Sequence, residues 1–231
     1  MLRRIGRVAF SFFAVLIILI TVIVFGFPVD PLLEIKANSF SRTDSLELYS
    51  ANKTIPDKYR SQILTALSHF PELIPVQIRF ELTSSGAPLE SNFSIPTLLG
   101  SREGRVYRIL IVEQEGGPYD PVLVRNLPYE SQVAIVAHEL CHTIYYEKLN
   151  SLEIASWGLR YLFLDSFAKE HERNTDKLTI LKGFGTELLQ YARYVRELPE
   201  FRQAYESGEL KWIDEYYLPP NEIESVLRQI E

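Results

Sequence analysis

Cysteine, histidine and basic charge are all scarce in this chain, and each shortage narrows what it can be. The single cysteine, Cys141, excludes an internal disulfide, so a core and any bound metal must hold the fold together. Lys and Arg number 24 against 30 Asp and Glu, a formal net charge of −6. Three of those bases, Arg3, Arg4 and Arg7, sit at the extreme N-terminus, so the rest is more acidic still and nucleic acid is a poor partner. Proline is absent from Tyr129 to Leu198, although ten of the thirteen prolines lie at or before Pro128. Strands and loops are therefore expected first and long helices afterwards, an α+β order. No internal repeat or low-complexity tract interrupts the chain.

Charge is missing altogether from Val8 to Phe27. Twenty helical residues span about 30 Å, the thickness of a bilayer core. With Arg3, Arg4 and Arg7 before this run and Asp30 and Glu34 after it, the positive-inside rule leaves residues 1–7 in the cytoplasm and carries the rest across. A cleaved signal peptide is the rival reading. Its apolar part is normally about 7–15 residues with small residues at the cleavage site, which Phe25-Gly26-Phe27-Pro28 does not supply. The expected organisation is a cytoplasmic N-terminus (1–7), a transmembrane anchor (8–27), a linker and entry segment (28–56) and one extracytoplasmic domain (57–231).

Of only four histidines, two fall in His138-Glu139-Leu140-Cys141-His142. On a helix, positions i and i+4 share one face, so both imidazoles can reach one ion at about 2.0–2.1 Å. Glu139 lies about 100° round the helix, where a carboxylate is a poor ligand but can take a proton from a water attacking a carbonyl. Asn126, Pro128 and Glu130 supply helix-start signals, and Val133 to Ala137 lead into the motif, so a helix over about 128–148 is expected. Cys141 points off the histidine face and reads as a small buried side chain.

A catalytic zinc usually takes three protein ligands and keeps one open position. The longer pattern His-Glu-x-x-His-x-x-Gly-x-x-His is excluded, because Tyr145 and Lys148 hold its Gly and His positions. The third ligand is sought in residues 169–177, a polar patch that interrupts an otherwise core-facing helix. Glu172 and Asp176 are again four apart, one suited to the metal and the other to the free N–H of a ligating histidine. His171, adjacent to Glu172, is an equally good ligand by type, but the two diverge by about 100° and cannot both face the ion. A solvated helical face carrying Lys169, Glu170, Glu172, Arg173 and Lys177 is the plain alternative for this patch.

Together the two motifs resemble the gluzincin metallopeptidases, in which a downstream glutamate completes a His-Glu-x-x-His site. The nearer likeness, over about 128–182, is to membrane peptidases of the M48 type, whose second motif Glu-x-x-Ala-Asp corresponds to Glu172-Arg173-Asn174-Thr175-Asp176 with Thr175 in place of Ala. Those enzymes carry several spanning helices, whereas this chain offers one. The resemblance implies one Zn2+ per chain held by His138, His142 and Glu172, with Glu139 as general base and Asp176 behind the ligands. It also implies a zincin-like α+β domain that hydrolyses peptide bonds of a peptide or protein substrate. The competing functional class is an inactive zincin-like protein that binds a partner and keeps its metal for structure.

Other elements follow from pattern. Tyr59–His69 is expected to be helical, Val76–Leu82 and Val106–Val112 to be strands, and residues 151–182 a long helix bent near Gly158, followed by a helix over about 186–198. The resemblance implies a sheet edge that receives extended substrate, for which Arg105–Glu113 is the candidate. A tyrosine is a natural second electrophile, and Tyr161, Tyr191 and Tyr194 lie on the surrounding helices. His69 reads as a helix-end residue. The tail from Glu197, with Trp212, Tyr216 and Tyr217, either packs back on the domain or covers the cleft.

Overall fold

Alternating burial along Gln77–Thr83 and near-continuous burial along Val106–Val112 mark two neighbouring strands of one sheet, the first covered on one face and the second on both. In this computed structural model, which describes residues 20–27, 29, 46–98, 101–113, 120–208 and 210–230, the strands are β1 (Lys53–Thr54), β2 (Gln77–Thr83), β3 (Leu89–Phe93) and β4 (Val106–Val112). Their order is β1-β2-β4-β3; β1, β2 and β4 run parallel, and β3 is antiparallel to β4 at the outer edge. The strand proposed to receive substrate, Arg105–Glu113, is therefore interior. Both its sides are taken by β2 and β3; among the described residues the sheet edges are β1 and β3, and the outward amide of Ser91 in β3 is held by Glu139.

From Arg60 onward the helices longer than five residues are α1 (Arg60–Leu67), α2 (Tyr129–Lys148), α3 (Ser151–Phe163), α4 (Asp165–Thr179), α5 (Gly185–Glu197), α6 (Pro199–Ser207), α7 (Lys211–Tyr216) and α8 (Pro220–Ile230). Every residue of α2 from Ser131 to Tyr146 is buried, because β3, α1, α4 and α5 surround it. Ile78 and Phe80 of β2, Ile109 and Ile111 of β4, and Leu140 and Ile144 of α2 share one apolar core. The architecture is thus α+β, with a small sheet against α2 and further helices beyond it. A second cluster joins Ala134 of α2 and Leu188 of α5 to Leu218 and Ile223 of the tail. Complete burial of a leucine or isoleucine contributes about 1.5–3 kcal/mol, so the tail is an integral part of the domain.

Local chemistry explains the joints. Asn150 caps α3 by accepting from the Leu152 and Glu153 amides at 3.0 Å, while Glu153 accepts from the Asn150 amide, a capping box. The expected long helix does bend, but at Leu164 rather than Gly158. Leu164 is extended (φ −119°, ψ 92°), its amide closes α3, and its carbonyl accepts from Phe167 and Ala168 to open α4. Gly158 stays helical inside α3. This corner aims the Glu172 and Asp176 face of α4 at α2.

Residues 46–56, expected as part of a linker, belong to the domain: Tyr49 is buried in the core and β1 extends the sheet. Residues 1–19 and most of 28–45 lie outside the described residues, and with them most of the expected anchor. Among the described residues no helix is long and apolar enough to cross a membrane. Residues 20–26 are helical, and Arg160 of α3 donates to the Val24 carbonyl at 2.8 Å. Just beyond Arg160, Leu162 and Phe163 are 75% and 72% exposed at the α3–α4 corner, as Phe25 is at the end of the apolar run.

Candidate metal centre

Two turns of α2 and one face of α4 meet at a triangle of donor atoms. His138 Nε2 lies 3.2 Å from His142 Nε2 and 3.2 Å from Glu172 Oε2, and His142 Nε2 lies 3.4 Å from the same oxygen. Donors about 2.0–2.1 Å from a tetrahedral ion are about 3.3–3.4 Å from one another, so the spacing is that of three corners of one coordination shell. All three residues are buried, and together they form a group able to hold a metal ion.

The supporting groups fix each donor. His138 Nδ1 donates to Asp176 Oδ1 at 2.9 Å, which leaves the Nε2 lone pair for the ion. Tyr161 donates to Glu172 Oε1 at 2.6 Å, so Oε2 is the oxygen turned to the histidines. His171 is not in the triangle. Its Nε2 stands 3.1 Å from His142 Nδ1 and accepts that N–H, so it supports one ligand as Asp176 supports the other. Tyr145, Trp157, Tyr161 and Phe167 pack their rings around His171, and burial, then the neighbouring His142, drop its basicity to about 3. It stays a neutral acceptor. Sequence reasoning missed this aromatic box; the i,i+4 pair Trp157 and Tyr161 was its only local sign.

The field at the centre is negative. Burial alone would lower His138, yet hydrogen bonds to Asp176 and Glu172 push its pKa well above the ordinary histidine value. Burial alone would raise Glu172, yet His142 and His138 hold it well below the usual carboxylate range. A cation between them satisfies both groups, which is the test that a metal must pass here.

No family model, curated protein or solved structure matches this chain. What the centre does is therefore argued from its own geometry.

Glu139 faces the sheet edge. Its Oε2 accepts from the Ser91 amide of β3 at 2.6 Å, and burial, outweighing the nearby histidines, raises its pKa. A carboxylate with raised basicity beside a metal-binding triangle is suited to take a proton. Of the three tyrosines proposed as electrophiles, Tyr161 holds a ligand and Tyr194 donates to the distant Asn126 carbonyl. Tyr191 lines a cavity beside His138 and Glu139, with its pKa pushed to about 12 by burial and then by Asp176. Two more tyrosines reach the histidines: the Tyr146 ring stacks on His142 at 6.2 Å, and from the tail the Tyr217 ring lies 6.0 Å from that of His138. Tyr217 keeps 36% of its surface, but its hydroxyl end is enclosed; burial and the acid groups of Glu172 and Glu139 keep it protonated.

The basic residues of the polar patch explain how the tail arrives there. Flanking the Glu172 and Asp176 face of α4, Lys169 pairs with Glu215 at 2.5 Å and Arg173 with Glu222. Arg173 also donates to the Asp214 carbonyl at 2.9 Å, and the Leu218 amide donates to Asp176 Oδ2 at 2.8 Å. One carboxylate, Asp176, thereby joins the tail to His138. His69 is the helix-end residue expected, its Nδ1 2.8 Å from the Lys182 carbonyl.

Cys141 sits between α2 and α4, accepting from Thr179 Oγ1 at 3.5 Å, and burial pushes its thiol up to about 12. It is an unreactive packing residue. In the native protein it is expected to resist an aromatic disulfide reagent at pH 8 and to react fully once denaturant is added; rapid native labelling contradicts the packing role.

Proposed function

We propose that the chain is a membrane-anchored zinc peptidase that hydrolyses peptide bonds with Glu139 as general base. The observation behind this is the donor triangle of His138, His142 and Glu172, with the Glu139 carboxylate on the adjoining face of the same helix. Two imidazoles and one carboxylate are a usual donor set for catalytic zinc, and three donors leave a position open. Bound there, zinc supplies Lewis acidity, lowering the pKa of a water molecule and polarising a carbonyl. Glu139 accepts the proton of the attacking water and returns it to the leaving amine. β3, antiparallel to β4, is the edge strand beside Glu139, and an extended peptide pairing along it would displace Glu139 from the Ser91 amide that it holds. Tyr217, held protonated, is the side chain best suited to donate to the developing oxyanion.

The competing reading, a binding protein with a structural metal, is less well supported. A structural zinc normally fills all four positions with protein donors, and here Glu139 accepts from Ser91 instead of joining the triangle. Replacement of Glu139 by Gln, with activity and zinc content followed together, separates the two readings.

Anchoring is inferred from the charge-free run 8–27, with Leu162 and Phe163 exposed near its end. The full chain in native membranes is expected to resist extraction at pH 11. Release under those conditions, or a mature N-terminus beginning after residue 27, contradicts the anchor and favours a cleaved leader.

A further inference from the structure

A cavity of about 390 Å³ opens beside His138 and Glu139. One wall is α5, through Leu188, Ala192 and Val195; the outer wall is the C-terminal segment, through Ile213 and Leu218. Its end is formed by residues 86–89, where edge strand β3 begins, so the cavity continues the line along which a paired peptide would lie. The volume falls within the roughly 300–1,000 Å³ of small-ligand pockets, enough to enclose a leucine or aromatic side chain.

The charged groups at its margin already have partners. Arg196 is paired with Asp214 and donates to the Ala192 carbonyl at 2.8 Å. Asp176 accepts from His138 and Leu218, and Glu139 accepts from Ser91. An acidic side chain entering this space would lose its hydration with Arg196 already paired, and a basic one could pair only with Glu139 and so block its proposed role as base, whereas an apolar one gains contact with aliphatic walls. Resting on the peptidase reading of the adjoining centre, we propose that this cavity selects substrates by one large, uncharged apolar side chain next to the cleaved bond. The tail is then a specificity element: it supplies about a third of the pocket lining, and its removal would open the pocket to solvent.

The test uses the full chain in lipid nanodiscs and two readouts. In the first, N-acetyl-leucinamide and N-acetyl-lysinamide are offered to metal-free protein and binding is followed by ligand-observed NMR. The leucine amide is expected to bind and the lysine amide not. Ala192→Phe, which fills the cavity, abolishes leucine amide binding; Ile213→Asp, on the half-buried outer wall, shifts preference toward the lysine amide and serves if Ala192→Phe does not fold. In the second, zinc-loaded protein is given peptides differing at one position. Leucine or phenylalanine there is expected to exceed glycine or aspartate by about tenfold or more in kcat/KM. Ala192→Phe brings that ratio toward one. Cleavage without leucine amide binding or side-chain preference overturns the pocket and leaves the peptidase. Leucine amide binding without cleavage of any peptide overturns the peptidase and leaves the cavity as a ligand site.

Discussion

Glu139→Gln is expected to lower peptide hydrolysis by about 10²–10⁴-fold while leaving zinc content unchanged. The substitution is nearly isosteric, and the amide oxygen of glutamine can still accept from the Ser91 amide that Glu139 Oε2 meets at 2.6 Å. The joint between α2 and β3 therefore survives, as do the donors on His138, His142 and Glu172. Only the capacity to accept a proton is lost. Zinc content by elemental analysis and initial rates on a denatured protein substrate separate the two effects. Full activity in Glu139→Gln contradicts a general-base role and returns the chain to the binding-protein reading. Loss of zinc together with activity shows instead that Glu139 is a ligand.

Glu172→Ala removes one corner of the donor triangle, and zinc affinity is expected to collapse below stoichiometric binding at micromolar concentrations. His171→Ala removes only the acceptor of the His142 Nδ1–H, 3.1 Å away, and is expected to weaken binding by about 10–100-fold. Competition with a chromophoric chelator orders the three proteins as wild type, His171→Ala, Glu172→Ala. The reverse order for the two variants contradicts the geometry in which Glu172 Oε2 sits 3.2 Å and 3.4 Å from the two histidine nitrogens. His171→Ala also leaves a hole where four aromatic rings converge, so its melting temperature serves as a control for packing loss.

The difference between Glu172 and His171 is a useful measure of what the chain discloses. Helical spacing alone identifies His138 with His142 and Glu172 with Asp176, because i,i+4 pairs share a face whatever lies opposite. Which of two adjacent residues faces the metal depends on how α4 is rotated against α2. That rotation follows from the break at Leu164, and no residue there signals it: leucine is neither a cap nor a helix breaker. Gly158 was the more natural place for a bend by composition, yet the helix passes through it because surrounding residues keep their helical bonds.

Long-range pairing was hidden for a similar reason. Val106–Val112 is legible as a strand from its apolar run, but its neighbours in the sheet are not. Its edge-strand neighbour β3, Leu-Glu-Ser-Asn-Phe, has little strand character of its own and is held by β4 on one side and Glu139 on the other. Lys169 and Arg173 read as a solvated face because their partners, Glu215 and Glu222, lie more than 40 residues later. Tyr217 entered the site by that same clamp.

The central claim is that His138, His142 and Glu172 hold one zinc ion. Elemental analysis of the full chain, purified in detergent without chelators and again after reconstitution with zinc, tests it most directly. About one zinc per chain, removed by chelator and restored by zinc alone, is the expected result. A correctly folded chain that retains no zinc after reconstitution contradicts the metal centre and the peptidase with it.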